Sequence, residues 1–312
     1  MSYDVRQATL DDTRAISQLA RARIGVWQRM DPTGKVQDVD YADLTVYDRW
    51  LHGGPWMSIE TGALQLSRLL RGAGLSLVAV NGDTVLGYTE VYAGTEPQPY
   101  GRHLHIGVVH ATDNTVRDSL LDAAIDQARQ NRVTRLTANI AANDDDTLSY
   151  YQTHGFAQVD EIRRMTLAAK QGQVFYQATD DDSALASQID GWYLNIGRLG
   201  SARYQWESLW PATYEAIPQI RERKTHRLHF NAAGNEAFVL VRQQLYIPRY
   251  ADVFAWTPKP PTGQLITAIR DWAHREGYRK LVMPTATNSI KTLGLDAEPD
   301  GYREVVYALS IT

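Results

Sequence analysis

The stretch Gln7–Thr13 reads Gln-Ala-Thr-Leu-Asp-Asp-Thr, and a close copy of it, Gln-Ala-Thr-Asp-Asp-Asp-Ser, occupies Gln177–Ser183. A second match follows in the same order, because Leu120–Leu148 shares its spacing of Leu, Ala and Asn residues with Leu265–Leu293. Matches that stay in order over such distances indicate a duplicated domain rather than a short solenoid repeat. The sequence therefore predicts the same fold twice.

Length and composition agree with two globular domains. The chain has 312 residues, of which 44% are hydrophobic and 22% are charged, as in ordinary globular proteins. The segment 168–173 is small and polar, so we place the domains at 1–168 and 172–312.

Charge and cysteine content exclude several classes of protein. The net charge is −4 and no basic stripe is present, which argues against a nucleic-acid partner. The chain has no cysteine, so disulfides, thiolate metal sites and cysteine nucleophiles are excluded. Met1–Asp4 shows no signal-peptide pattern and no stretch is long and apolar enough to span a membrane, so we expect a cytoplasmic protein with no membrane partner.

Apolar periodicity and turn signals predict the same order of elements in both copies. In the first copy we expect strands at 3–8, 75–80, 84–92, 103–109, 136–140 and 155–167, with helices from 13, at 61–71, at 116–129 and at 144–153. In the second copy we expect strands at 237–243, 244–248, 252–257, 281–284 and 304–310, with a helix at 264–275. The predicted fold class is α/β (α+β), with a mixed, mostly antiparallel sheet flanked by helices in each copy.

The end of the first copy carries the most specific motif. Asn143–Phe156 places an Asn before a short helix that contains Tyr151, and then Gly155-Phe156 before the last strand. This order resembles the GNAT superfamily of N-acetyltransferases, as does the Asp-Asp-capped first helix. The resemblance implies a tandem two-domain member with degenerate acetyl-CoA loops, which transfers an acetyl group from acetyl-CoA to an amine.

The loop that the resemblance assigns to the pyrophosphate of acetyl-CoA departs from the family pattern. Glycines there let backbone N–H groups approach phosphates at a helix N-terminus. In the first copy, 110–118 has no glycine and contains Asp113 and Asp118, while 257–264 in the second copy contains three prolines, which lack N–H donors. The resemblance still assigns the cofactor contacts of the first copy to Val108, Val109, Asn114, Thr115, Val116, Arg117 and Asn143.

By the same resemblance, Tyr151 is the acid that protonates the departing thiolate, a task suited to a weak acid near the sulfur. The alternative is that Tyr151 is an ordinary buried helix residue. Acetyl transfer also needs a base for the amine, and we select Glu90 and His105 as candidates. His103 and His105 alternate on one strand, but no third ligand stands at metal-site spacing, so we expect no metal.

The second copy lacks the tyrosine, because Asp296 or Ala297 stands at the corresponding position, while Asn143 is matched by Asn288. Both Asn residues could equally serve as helix caps. We therefore expect the first copy to be catalytic, on a small-molecule or peptide amine, and the second copy to be structural or substrate-shaping. The competing interpretation is a non-catalytic GNAT-fold pseudoenzyme that binds a ligand or a partner, and a homodimer is left open.

Overall fold

A computed structural model of the chain describes residues 3–31 and 34–311. Met1 and Ser2, used above to judge the start of the chain, lie outside the described residues. No helix within the described ranges is long and apolar enough to cross a membrane.

Both halves of the chain contain three consecutive strands followed by a long helix and a further strand, whereas the elements before and after this run differ. The first half contains β1 (Asp4–Gln7), α1 (Thr13–Arg21), β2 (Gln28–Met30), β3 (Val36–Asp38), α2 (Val46–Leu51), α3 (Ile59–Arg68), β4 (Leu75–Asn81), β5 (Thr84–Glu96), β6 (Gly101–Ala111), α4 (Asn114–Gln130), β7 (Arg135–Ala141), α5 (Asp145–Thr153) and β8 (Ala157–Ala168). The second half contains β9 (Tyr176–Asp180), β10 (Tyr193–Ile196), α6 (Ala202–Leu209), α7 (Pro218–Arg221), β11 (Thr225–Ala232), β12 (Asn235–Gln243), β13 (Tyr250–Thr257), α8 (Gly263–Arg275), β14 (Lys280–Ala286) and β15 (Glu298–Ser310). The predicted α/β class, with mostly antiparallel pairing, is confirmed.

One predicted strand is wrong. Residues 244–248 form a turn, in which the amide of Gln244 bonds to the carbonyl of Tyr250. The hairpin partner of β12 is instead β11, and the connection uses Ala233 and Gly234 with φ of 49° and 78°. In β11 the buried residues Leu228 and Phe230 alternate with His and Arg residues. The segment is therefore short of the apolar residues from which a strand is predicted.

The chain divides into two compact units. The first comprises Met1–Tyr92, Ile106–Gln127 and Ala212–Glu222, and the second comprises Ala93–His105, Ala128–Pro211 and Arg223–Thr312. The boundary that we placed between 168 and 172 separates sequence copies and stays a prediction.

In the first unit, the strand order is β1-β4-β5-β6, and both β1 and β5 pair antiparallel with β4. Helices α1 and α3 cover one face of these strands, where Ile16 and Leu66 pack with Tyr88. Helix α4 covers the other face through Val116 and Leu120. A Cβ on Gly87 would lie 2.5 Å from Cγ1 of Val116, so this glycine allows α4 to approach β5 closely.

In the second unit, the strand order is β7-β15-β8-β14-β10-β13-β12-β11-β9. The β13–β14 pair is parallel, and the other pairs in this unit whose register the structure gives are antiparallel. One core packs α8 on the sheet through Leu265 and Ile269. A second core contains Trp206 and Trp210, whose rings stack at 4.2 Å, together with Trp256.

The closing strands of the two sequence copies are exchanged. Strand β15, the last strand of the second copy, lies between β7 and β8 of the first copy, with Val306 opposite both Asn139 and Asp160. Strand β8 in turn pairs with β14 of the second copy, where Met165 lies opposite Met283. Each sequence copy therefore completes its sheet with a strand from the other.

Candidate active site

Tyr151 lies in the last turns of α5. Asp144 caps this helix, since its Oδ1 accepts a 3.1 Å hydrogen bond from the amide of Thr147, and Gly155 ends it with φ of 83°. The Tyr151 side chain is buried, with its ring edge-on to Phe156 at 4.8 Å. The predicted helix, tyrosine and Gly-Phe turn are thus present as expected, while the acid role of Tyr151 stays a prediction.

Asn143 is exposed at the start of the same segment. The cap of this helix is Asp144 and not Asn143, because the Asp144 side chain accepts the hydrogen bond from the helix amide. In the second copy, Oδ1 of Asn288 accepts a 3.0 Å hydrogen bond from Ser289. The two matched Asn residues therefore have different surroundings.

Glu90 lies in β5 with none of its surface exposed. Its Oε1 accepts hydrogen bonds from Nε1 of Trp56 at 2.6 Å and from the hydroxyl of Tyr88 at 3.1 Å. Its Oε2 accepts from Nε2 of Gln65 at 2.9 Å and from the hydroxyl of Tyr92. Four neutral donors thus satisfy a buried carboxylate, which is otherwise costly to bury.

The Glu90 network extends outward through Gln65. Oε1 of Gln65 accepts the hydroxyl proton of Tyr214 and, at 3.4 Å, a hydrogen bond from Arg68. The Tyr214 ring also packs against Trp50 with 4.4 Å between centroids. Tyr214 belongs to the segment 212–222, which is part of the first compact unit although it follows the start of the second sequence copy.

Sequence reasoning selected Glu90 but missed its partners. Tyr88, Glu90 and Tyr92 alternate along one strand, and this spacing could have indicated a shared face. Trp56 and Gln65 come from other elements, so their approach to Glu90 depends on tertiary packing.

His105 lies in β6, buried, with Nδ1 in a 3.1 Å hydrogen bond to Oγ1 of Thr137. Its ring packs against Tyr204 at 5.4 Å, and its Nε2 lies 3.1 Å from where a Cβ on Gly200 would stand. Burial lowers the pKa of His105 well below its ordinary value, and the neighbouring His103 adds to this. The imidazole is therefore neutral at pH 7.

The neighbouring His103 faces a buried ion pair. Its Nε2 lies 3.6 Å from Oε1 of Glu96, whose Oε2 accepts a hydrogen bond from Arg198. Arg198 is also held by the carbonyls of Leu194 and Gly200. Burial lowers the pKa of His103, with Glu96 acting in the opposite direction. Within 3–31 and 34–311, no group of three His, Asp or Glu residues could hold a metal ion.

The carbonyls of Val108 and Val109 in β6 already accept side-chain hydrogen bonds. Oγ1 of Thr89 donates to Val108 at 2.9 Å, and Arg23 donates to Val109 at 3.3 Å. Whether these carbonyls also contact a cofactor stays a prediction.

The first turn of α4 contains the predicted residues Asn114–Arg117. Asp113 precedes them, and its Oδ1 accepts a 3.0 Å hydrogen bond from the amide of Val116. The bond from Val116 is the largest cause of the lowered pKa of Asp113, with smaller contributions from Thr112 and the Thr115 amide. The chain's own carboxylate thus uses the helix N-terminus, and the side chain of Val116 is buried in the core.

The corresponding loop of the second copy borders a cavity of about 120 Å³. Thr257, Lys259 and Glu236 are among its lining residues. Oγ1 of Thr257 is buried without a hydrogen-bond partner in the described parts of the chain, and the carboxylate of Glu236 is held by His229 at 2.9 Å. The cap of α8 is the neutral Thr262, whose side chain accepts from Leu265.

The predicted site residues fall into both compact units. Tyr151, Asn143 and His105 belong to one unit, whereas Glu90 belongs to the other, together with Val108, Val109 and 114–117.

Comparison with solved structures identifies the fold. The chain is similar to a GCN5-related N-acetyltransferase from Anabaena variabilis, with a TM-score of 0.59 at 7% identity over 99% of this chain and 73% of that chain. A GCN5-related N-acetyltransferase from Kribbella flavida gives a TM-score of 0.59 at 10% identity, over 99% of this chain and 72% of that one. A putative acetyltransferase from Pyrococcus horikoshii gives 0.53 at 13% identity, over 100% and 90%.

Sequence comparison adds nothing to this, since no protein-family model and no curated protein matches the chain. The structural likeness extends over the whole chain and confirms the predicted GNAT fold.

Proposed function

We propose that this chain, which has the fold of the GNAT N-acetyltransferases, is an N-acyltransferase that moves an acyl group from a thioester to an amine. The observation that carries the proposal is the surroundings of Tyr151: a capped helix, a buried tyrosine and the Gly155-Phe156 turn, as the resemblance requires. The acceptor is a small-molecule or peptide amine.

In the proposed reaction, the amine nitrogen attacks the thioester carbonyl carbon, the N–C bond forms and the C–S bond breaks. The hydroxyl of Tyr151 gives its proton to the departing sulfur. The amine proton goes to Glu90 or to His105. His105 is suited to this because burial keeps it neutral, whereas Glu90 already accepts four hydrogen bonds.

One observation favours the second candidate function, a non-catalytic GNAT-fold protein that binds a ligand or partner. Acetyl-CoA carries a pyrophosphate, and the α4 N-terminus of the first copy does not fit it, because Asp113 takes the amide bonds and adds a like charge. We therefore assign no step to that part of the acyl donor.

The test measures thiol release by the full-length protein from acetyl-CoA and from S-acetylpantetheine over a panel of amines. The chain has no cysteine, so a thiol reagent detects only the product. Tyr151→Phe should lower kcat by about 10²-fold or more, and Tyr150→Phe, the neighbouring tyrosine, should change it little. If no donor and amine pair releases thiol, the non-catalytic function is favoured instead.

A further inference from the structure

The N-terminus of α4 in the first copy is closed by its own chain. Asp113 accepts the amide hydrogen bond of Val116, and its second carboxylate oxygen accepts the hydroxyl of Thr112 at 3.1 Å. An anion at a helix N-terminus is held by these same amides and by the helix dipole. A phosphate could bind there only after the Asp113 side chain had left.

The second copy offers a contrast at the matching helix. There the cap is the uncharged Thr262, and Lys259 borders the adjacent cavity. The described residues 257–264 at that N-terminus include no carboxylate, and Glu236, which also lines the cavity, is paired with His229. A carboxylate that caps this helix is therefore found in the first copy only and is not shared by the two copies of the fold.

We infer that the first copy recognises its substrate as an acyl-pantetheine thioester and leaves any nucleotide pyrophosphate unbound, because Asp113 occupies the position that phosphate oxygens would take. This rests on the proposed function, in which a thioester is the acyl donor. It follows that the nucleotide portion of coenzyme A contributes little to binding.

The experiment is calorimetric titration of the full-length protein with coenzyme A and with pantetheine. Every protein in this experiment, including the parent, carries Lys259→Gln. This substitution removes the lysine charge beside the cavity of the second copy, so that the cavity does not bind the nucleotide. Asp113→Gly removes both the carboxylate and the cap, and glycine is tolerated at this position. Asp113→Asn removes the charge but keeps a cap, and Asp83→Asn, in the exposed β4–β5 turn, is the charge-matched control.

We expect the parent protein to bind the two ligands within about tenfold of each other. Asp113→Gly should raise the affinity for coenzyme A by about tenfold or more without changing the affinity for pantetheine, and Asp113→Asn should raise it less. The gain in affinity should shrink at high salt. Asp83→Asn should leave both affinities unchanged.

Two results would overturn the inference. One is a parent protein that binds coenzyme A more than about tenfold tighter than pantetheine, and the other is an Asp113→Gly variant with no gain. If the parent binds neither ligand but Asp113→Gly gains coenzyme A, then Asp113 blocks the helix N-terminus, but recognition of a pantetheine thioester falls and the acyltransferase proposal falls with it. If no variant binds either ligand, both fall.

Discussion

The indole Nε1 of Trp56 donates a 2.6 Å hydrogen bond to Oε1 of Glu90, although the two residues lie in different elements. Trp56 is 2% exposed and Glu90 is fully buried. No cation lies within ion-pair distance of this carboxylate among the ion pairs that the structure describes. The carboxylate therefore depends on neutral donors for its solvation.

Trp56→Phe keeps an aromatic ring but removes one of the four donors to Glu90. We expect it to lower the free energy of unfolding by about 1–3 kcal/mol, because a buried acceptor loses its partner. Urea denaturation measures the change. Trp192→Phe is the control, since Trp192 is only half-buried and stacks on Phe238; an equal loss in both variants would show that ring size, and not the Glu90 bond, sets the effect.

Tyr214→Phe tests whether the segment 212–222 supports the Glu90 network. Removing the hydroxyl leaves Oε1 of Gln65 with the long bond from Arg68, so we expect a loss of about 1 kcal/mol in unfolding free energy. Tyr246→Phe, at an exposed tyrosine, should be neutral. An unchanged unfolding midpoint for Tyr214→Phe would mean that water replaces the hydroxyl at no cost.

Glu90→Gln and His105→Gln decide which residue accepts the amine proton. Loss of the true base should lower kcat by about 10²–10⁴-fold, and the other variant should retain most of its rate. If His105 is the base, activity should persist below pH 6.5, because its lowered pKa keeps the imidazole neutral there. A rate that falls with an ordinary histidine midpoint would contradict this.

His110 should make stability fall in mild acid. Burial, with a smaller contribution from Arg23, lowers the pKa of His110 to about 4 from 6.5. The unfolded chain therefore binds a proton below pH 6.5 while the folded chain does not until about pH 4, so stability falls as the pH decreases through this window. The loss should reach about 3 kcal/mol.

His110→Gln should flatten that pH dependence in urea denaturation at pH 7 and pH 4.5. His274→Gln is the control, because His274 is exposed. A His110→Gln variant that keeps the full pH slope would place the proton uptake on other groups, with His103 and His105 as the next to test.

The sequence predicted what depends on local pattern. The neighbouring strands at 75–80 and 84–92, the helix that contains Tyr151 and the alternation of His103 with His105 all follow from spacing within one segment. These features occur in the structure at the predicted positions.

The rest depended on contacts between distant segments. The Trp56 bond to Glu90 and the Tyr214 bond to Gln65 join elements whose approach no local period encodes. Strand β11 was missed because His and Arg residues interrupt the apolar pattern around Leu228 and Phe230. The capping role of Asp113 appeared only once the start of α4 was known. The sequence did show that the loop 110–118 has no glycine. This already indicated that the loop departs from the phosphate-binding pattern of the family.

The position of β15 between β7 and β8 has a consequence for synthesis on the ribosome. When Ala168 has emerged, the strand that must fill the space between β7 and β8 has not yet been translated, and both strands carry open hydrogen-bonding edges. These pairings can form only after β15 has left the exit tunnel, and they join segments of very long sequence separation. Closure of the sheet around β7 and β8 is therefore a late event that waits for the synthesis of β15.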